Sequence, residues 1–342
     1  MSNMESLMQN VHEKNLSPLW EFEYEMFTTE PKSPIGPWLW KGKEIISLLT
    51  QFANSFPRVG GDRRALSLIH PDAKQYKGAN WNFQIGFQLI KKGEKAPPHR
   101  HSPQAARFVI DGTAATILNG DRYDMEAGDF VLTPQWVYHE HIKDDDGMAV
   151  WLDMLDIPFV ARQGLFFFQQ TEWQEPTKSE NQLIRRATQK SLVPSTNAGS
   201  KPESPWIYKW TDMKETLDEM RELQLKDDYN GVKVTYHNPL SKEVGVSPTF
   251  GADVNLLEPG LETKLHRHTS APIYYVIQGR GSTTIDGKKF DWEKHDVLAV
   301  PSWSWHSHKN VGKEPAILLE IHDEPLLRSL GLYREETDQK RK

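Results

Sequence analysis

The sequence predicts an all-β protein with helical additions, built as two tandem antiparallel jelly-roll barrels. Three observations carry that reading. The chain repeats itself at a constant offset of 167 residues, the repeated stretches are short β-rich runs bounded by turn dipeptides, and apolar residues at helical spacing precede each repeat.

The repeat comes first. Gly93 pairs with Gly260, His99 with His266, His101 with His268, Gly112 with Gly279, Gly120 with Gly287 and Asp129 with Asp296. Further on, Pro134 matches Pro301, Trp136 matches Trp303, His139 matches His306 and His141 matches His308. Identities this dense at one offset, with no insertion between them, mark two copies of one unit. Within the copies, FVI, TAATIL and FVLT recur as YYVI, STTI and VLAV, and the two-residue hairpin signals Asn119-Gly120 and Asp286-Gly287 fall at matching places. Many short strands with regular turns point to closed antiparallel barrels.

LMQNVHEKNLSPLWEFEYEMF and, after Ser204-Pro205, WTDMKETLDEMREL carry apolar residues at roughly helical spacing, which predicts helical lead-ins to each barrel. Between the copies runs a polar stretch rich in Ser, Thr, Pro and Lys. It is a linker or covering arm. The expected organisation is therefore an N-terminal helical arm plus catalytic barrel over 1–170, a linker or arm over 171–205 and a C-terminal barrel over 206–342.

A net charge of −6 with mixed signs leaves no footprint for nucleic acid or an anionic membrane. No apolar run approaches the roughly 20 residues of a membrane helix, and the N-terminus lacks a basic stretch followed by an apolar one, so the expected location is the cytoplasm. The chain has no cysteine, which excludes thiolate ligands and nucleophiles. Any metal is held by His or oxygen.

His99-Arg100-His101 recurs as His266-Arg267-His268. On a strand, His-x-His puts both imidazoles on one face, because side chains alternate. A third histidine follows 38 residues later, as His139 and His306, after a proline that turns the chain back. Three neutral imidazoles suit a divalent first-row metal and leave positions open for other ligands. One His-x-His alone is more often a loop feature than a site; recurrence of all three positions favours a metal at His99, His101 and His139. His266, His268 and His306 offer a second metal site of the same ligand types, or a relic of duplication.

The pattern G-x5-H-x-H-x3-Ala105-x6-G, then G-x5-P-x-Trp136-x-x-H, resembles the two cupin motifs, so the chain looks like a bicupin. The general pattern has Glu and Gly at positions 105 and 136; here they are Ala105 and Trp136, with Pro272 and Trp303 in the second copy. The ligand carboxylate is absent from both copies. Together with HRHSPQAARFVIDG, GDFVLTPQWVYHEH and WLDMLDIP, that departure resembles the gentisate 1,2-dioxygenase family, which includes salicylate 1,2-dioxygenase and 1-hydroxy-2-naphthoate dioxygenase. The likeness runs from SPLWE near residue 17 to PSWSWH near 306.

The resemblance implies Fe(II) on three histidines, dioxygen as co-substrate, and an aromatic ring with a carboxylate beside a hydroxyl, of which gentisate is the first choice. It also implies a homotetramer. Without a carboxylate ligand the ion keeps its double positive charge and attracts a dianionic chelate. Arg107, six residues after His101, falls on the lumen face if the strand is unbroken, and its planar fork suits a substrate carboxylate. A structural ion pair is the bland alternative for it. The second copy has Tyr274 there, which makes the first copy the catalytic one. By the same matching Gln88 faces substrate, with Asn255 as its counterpart, and Arg63 is a second anion-binding arginine, although adjacent Arg64 competes for that place. His141 is an acid–base candidate with Asp153 as its orienting partner. Trp136 and Tyr138 read as lumen packing. His12, His70, His237, His295 and His322 join no constellation. A noncatalytic metal-binding bicupin keeps the triads without needing Arg107; manganese decarboxylases and sugar isomerases are disfavoured by the missing carboxylate.

Overall fold

The computed structural model describes residues 3–55, 64–170, 207–238 and 245–338. The expected linker over 171–205 and Arg63 lie outside the described residues. Residues 3–34 form a small unit of their own, with an α-helix at Asn3–Glu13, a 3₁₀ turn at Leu19–Glu21 and a short helix at Glu23–Met26. The predicted helical lead-in is thus realised as three short pieces. From Ile35 onward the chain is one unit holding both barrels.

Each barrel is a six-stranded sheet closed against a five-stranded one, all pairings antiparallel. In the first, the larger sheet runs in the order Ile207–Tyr208, Phe130–Thr133, Ala105–Asp111, Met148–Leu155, Gln84–Lys91, Arg64–Ser67, and the smaller one Phe168–Gln170, Lys95–His101, His139–Ile142, Thr113–Leu118, Asp121–Glu126. The second barrel repeats the plan, its larger sheet ordered Trp38–Trp40, Val297–Ala299, Ile273–Gln278, Ala316–His322, Gly251–Leu257, Val232–Thr235. Both hairpin signals are realised. Asn119-Gly120 and Asp286-Gly287 all have positive φ, the conformation a two-residue turn needs to match strand twist.

The two orders show an exchange that the sequence did not reveal. Trp38–Trp40, ahead of the first barrel, completes the sheet of the second, while Ile207–Tyr208 completes the sheet of the first. Equivalent aspartates fasten both segments. Asp129 accepts from Lys209 and, at 3.0 Å, from the Trp210 amide; Asp296 accepts from Lys41 at 2.5 Å and from the Gly42 amide at 2.9 Å. Gly128 has a φ of +95°, and a Cβ there would lie 2.4 Å from the Trp210 ring. Only glycine lets the strap lie so close.

The inner strands of both larger sheets are buried on both faces, so they read as near-continuous apolar runs. Phe87, Phe108 and Tyr275 meet between the barrels, with ring centroids 5.8 Å (Phe108 to Tyr275) and 6.3 Å (Phe87 to Tyr275) apart. On Ala105–Asp111 the period of two sends Ala106 and Phe108 to that interface, and Val109 to a separate cluster with Trp151, Ile90 and Met125 inside the first barrel. Helix Trp210–Glu222 forms as predicted, burying Met213 and Leu217 one turn apart. Helix Gly42–Ser55, which buries Leu49 and Ala53, was not foreseen. Among the described residues no helix is long and apolar enough to cross a membrane.

Candidate functional site

Strand Lys95–His101 alternates as its sequence requires. His99 and His101 are buried, and Arg100 points outward, where its guanidinium lies 4.6 Å from the Tyr138 ring and 5.8 Å from the Trp136 ring. The second copy repeats this, with Arg267 over Trp303 and Trp305. The shared central arginine therefore clamps the proline turn from outside the barrel. This corrects the expectation that Trp136 packs the lumen. Trp136 is 44% exposed, with a φ of +63°.

The turn delivers His139 to the pair. Register places His139 opposite His99, with ring centroids 4.0 Å apart, and His101 lies 4.9 Å from His139. One ligand nitrogen from each of the three falls within 4.8 Å of the others. The hydrogen bonds fix the tautomers. Nδ1 of His99, His101 and His139 lies 2.7, 2.8 and 2.9 Å from the carbonyls of Pro97, Pro103 and Val137. A carbonyl only accepts, so each Nδ1 carries a proton and Nε2 is the nitrogen each ring offers to a metal. His139 Nε2 is buried with no hydrogen-bond partner. Burial first, then His99 and Arg107, hold His139 well below the usual imidazole range. Three buried rings with convergent ligand nitrogens, one of them held neutral, fit a divalent ion.

Arg107 is buried in the first barrel, but not for the reason foreseen. The strand is broken, since Lys95–His101 and Ala105–Asp111 belong to different sheets with Ser102 to Gln104 turning between them. Arg107 faces inward because its own strand alternates. Its Nε lies 2.9 Å from Asp153 Oδ1, and its Nη1 donates to Thr133 Oγ1 at 2.8 Å. Asp153, expected beside His141, thus has Arg107 as its ion-pair partner. His141 is buried next to the triad, its ring 5.7 Å from His139 and 5.6 Å from Trp151. Gln88 is buried on the neighbouring strand, opposite Trp151. Arg64 is buried and ion-paired with Glu94. Phe168 stacks on His99 at 5.1 Å, and Phe167 lies 5.4 Å from Trp136, an aromatic rim not singled out from sequence.

The second triad repeats the tautomer pattern on the carbonyls of Lys264, Ser270 and Ser304. Its ligand nitrogens meet the same 4.8 Å limit. Burial pushes His268 and His308 down to about 3. Nearby stands a buried ionic group absent from the sequence expectations. Lys233 contacts Asp253 at 2.8 Å and Glu320 at 3.1 Å, Asn255 donates to Glu320 at 2.9 Å, and His322 reaches Asp253 at 3.1 Å. His322 therefore does join a constellation. Its one legible signal was Glu320, which stands at the repeat offset from Asp153.

A family model described as a cupin domain matches residues 86–155 and again 254–322. Over 340 residues, 98% of this chain and 90% of the other, the sequence is 32% identical to a 5-aminosalicylate 1,2-dioxygenase of Comamonas sp. It is 33% identical to gentisate 1,2 dioxygenase 1 of Aquipseudomonas alcaligenes, across 94% and 92% of the two chains. The fold superposes with a TM-score of 0.87, at 28% identity and across 99% and 94% of the chains, on salicylate 1,2-dioxygenase from Pseudoaminobacter salicylatoxidans in its adducts with gentisate. Tandem cupin barrels, paired histidine triads and this likeness over nearly the whole length agree: the chain belongs to the ring-cleaving 1,2-dioxygenases of the gentisate and salicylate family.

Proposed function

We propose that the chain is an Fe(II)-dependent gentisate 1,2-dioxygenase that works in its N-terminal barrel as a homotetramer, opening the ring between the carboxylate- and hydroxyl-bearing carbons to give maleylpyruvate. The observation that supports it most directly is the pairing of a neutral three-histidine set with a buried arginine on the facing sheet. Bound Fe(II) would supply the double positive charge that draws the chelating acid and the route for electron density between ring and dioxygen.

The protein's own groups do the rest. Arg107 recognises the carboxylate with a fork that Asp153 and Thr133 already hold in one orientation, so little rotamer entropy is lost on binding. Gln88 offers a neutral donor and acceptor to the ring oxygens. His141, buried among His139 and Trp151, is placed to hold or move the proton of the substrate hydroxyl. Phe168, stacked on His99, covers that side of the triad and limits water there. Arg63 is proposed as a second anion contact. A salicylate-type substrate, 5-aminosalicylate included, is the second reading, favoured by the 32% identity to an enzyme of that name.

The test is oxygen uptake by anaerobically Fe(II)-loaded protein given gentisate, salicylate, 5-aminosalicylate and 1-hydroxy-2-naphthoate in parallel. Uptake fastest with gentisate, abolished in His101→Ala and strongly reduced in Arg107→Ala, is the expected result. Uptake with another acid moves the substrate assignment. Silence with all four, despite bound iron, leaves a noncatalytic bicupin.

A further inference from the structure

The two barrels share a triad and differ in what surrounds it. Strand register allows the surroundings to be compared position by position. Glu335 lies opposite His268 as Phe168 lies opposite His101, and Lys233 lies opposite Asn255 as Ala65 lies opposite Gln88. Helix Glu324–Ser329 matches Ile157–Arg162, which puts Glu324 and Arg328 where the first barrel has Ile157 and Ala161. An aromatic and aliphatic wall has become a mostly charged one, in which Tyr333, its ring 6.4 Å from that of His268, is the aromatic member.

These residues enclose a cavity of about 180 Å³ beside His266 and His268, lined also by Ser270. Ser270 Oγ is buried and has no hydrogen-bond partner, and His306 Nε2 is likewise buried and unpartnered. A buried hydroxyl left without a partner is unfavourable unless something fills the cavity and bonds to it. Charge differs as well. In the first barrel Arg107 and Asp153 cancel, so a divalent ion would keep its full pull on a dianion. Here Lys233 and Arg328 face Glu320, Glu324 and Glu335, a surplus of one negative charge, which weakens that pull and suits at most a monoanion.

We infer that the C-terminal barrel is a second divalent-metal site that takes short, non-aromatic oxygen ligands of the 2-hydroxy-acid class and refuses the aromatic acid of the first barrel. The inference stands whichever aromatic acid the first barrel accepts. A 2-hydroxy acid carries one charge, fits the small polar cavity and presents oxygens both to a metal and to Ser270. An aromatic acid would meet Tyr333 on one side but crowd its ring against Lys233 and Glu335 on the others, stripping water from charges without replacing it.

Cobalt(II) substitution of the full chain separates the two sites. His101→Ala leaves the second triad intact and His268→Ala leaves the first, and metal analysis with far-UV circular dichroism shows whether each variant is folded and loaded. His101→Ala should hold one cobalt per chain, with visible absorption that glycolate shifts at a concentration roughly tenfold below any response to gentisate. His268→Ala should respond to gentisate. Folded His101→Ala without cobalt, a gentisate response matching that to glycolate, or no response to either acid each overturns the inference. Failure of His268→Ala to respond to gentisate instead counts against the proposed function and leaves the second site untouched.

Discussion

Asp153 and Arg107 face one another on adjacent strands of the first barrel, carboxylate to guanidinium at 2.9 Å, both side chains buried. In the second barrel the same cross-strand places hold Glu320 and Tyr274. Removing one member of a buried pair strands the other charge, at a cost of about 3–5 kcal/mol, whereas replacing both with apolar groups is far milder. We expect Asp153→Asn to lower unfolding free energy by about 3 kcal/mol in urea titrations and to raise KM, because the arginine loses its holder. Arg107→Leu combined with Asp153→Leu should lose clearly less stability than the two single changes added together. A double variant as unstable as that sum would mean that the two charges are not coupled.

The exchanged straps give a test of how the barrels hold each other. Asp296 accepts from Lys41 and from the amides of Gly42 and Glu293, and Asp129 from Lys209 and from the amides of Trp210 and Glu126. We expect Asp296→Ala to cost about 3 kcal/mol and to speed amide exchange at residues 38–42 while leaving 207–210 unchanged. Asp129→Ala should do the reverse. Equal loosening of both straps in either variant would show that the barrels open together.

The metal-free protein should lose stability in mild acid. His139 and His306 are held well below the usual imidazole range by burial and neighbouring rings, and His268 and His308 are lowered to about 3. A histidine with a depressed folded value binds fewer protons folded than unfolded, so its stabilisation is whole above about pH 6.5 and declines as pH falls toward the folded value. Each contributes up to about 1.4 kcal/mol per pH unit in that window. Asp156 opposes them, because burial raises it to about 6 and its folded form takes a proton first, and the raised Glu140 and His322 act the same way. His70, His266 and His295 are lowered by burial and act with the triads, so the lowered histidines outnumber the opposing groups. Urea midpoints of chelator-treated protein should therefore fall steadily from pH 6.5 toward pH 4, and a divalent metal, which competes with those protons, should flatten the decline. A midpoint that holds constant to pH 4.5 would contradict the buried, neutral triads.

Both triads were legible in the sequence because a repeat exposes what a single copy hides. His99, His101 and His139 stand at fixed spacings, and the offset finds their partners without any structural knowledge. Arg107 was placed on the inner face of the barrel by its spacing from His101 and by likeness, with the wrong geometry: nothing in Ser102-Pro103-Gln104 announced that the chain changes sheets there. The straps were invisible for a related reason. Trp38–Trp40 is three residues long, too short for a period, and its partner Val297–Ala299 lies more than 250 residues away. The charged wall of the second site was missed because Lys233, Glu324 and Glu335 come from three distant elements, and only the register that brings them together makes them a set.

Phe168 is where the difference between the barrels can be exchanged by one substitution. Its ring lies 25° from parallel to His99, its centroid 5.1 Å away, and it is 45% exposed, so it covers the first triad without filling a core. An aromatic contact of this kind contributes about 1 kcal/mol beyond area burial, or roughly fivefold in affinity. Phe168→Ala should raise KM for the aromatic acid by about that factor with iron content unchanged, and Phe168→Tyr should restore it. Phe168→Glu, which installs the residue of the second barrel, should raise KM further, since a carboxylate at the mouth repels an anionic substrate as well as failing to cover the ring, and part of that excess should vanish at high salt. Iron loss in Phe168→Ala would instead assign the ring to holding His99 in place, and an unchanged KM in Phe168→Glu would remove the strand Phe168–Gln170 from the substrate's path.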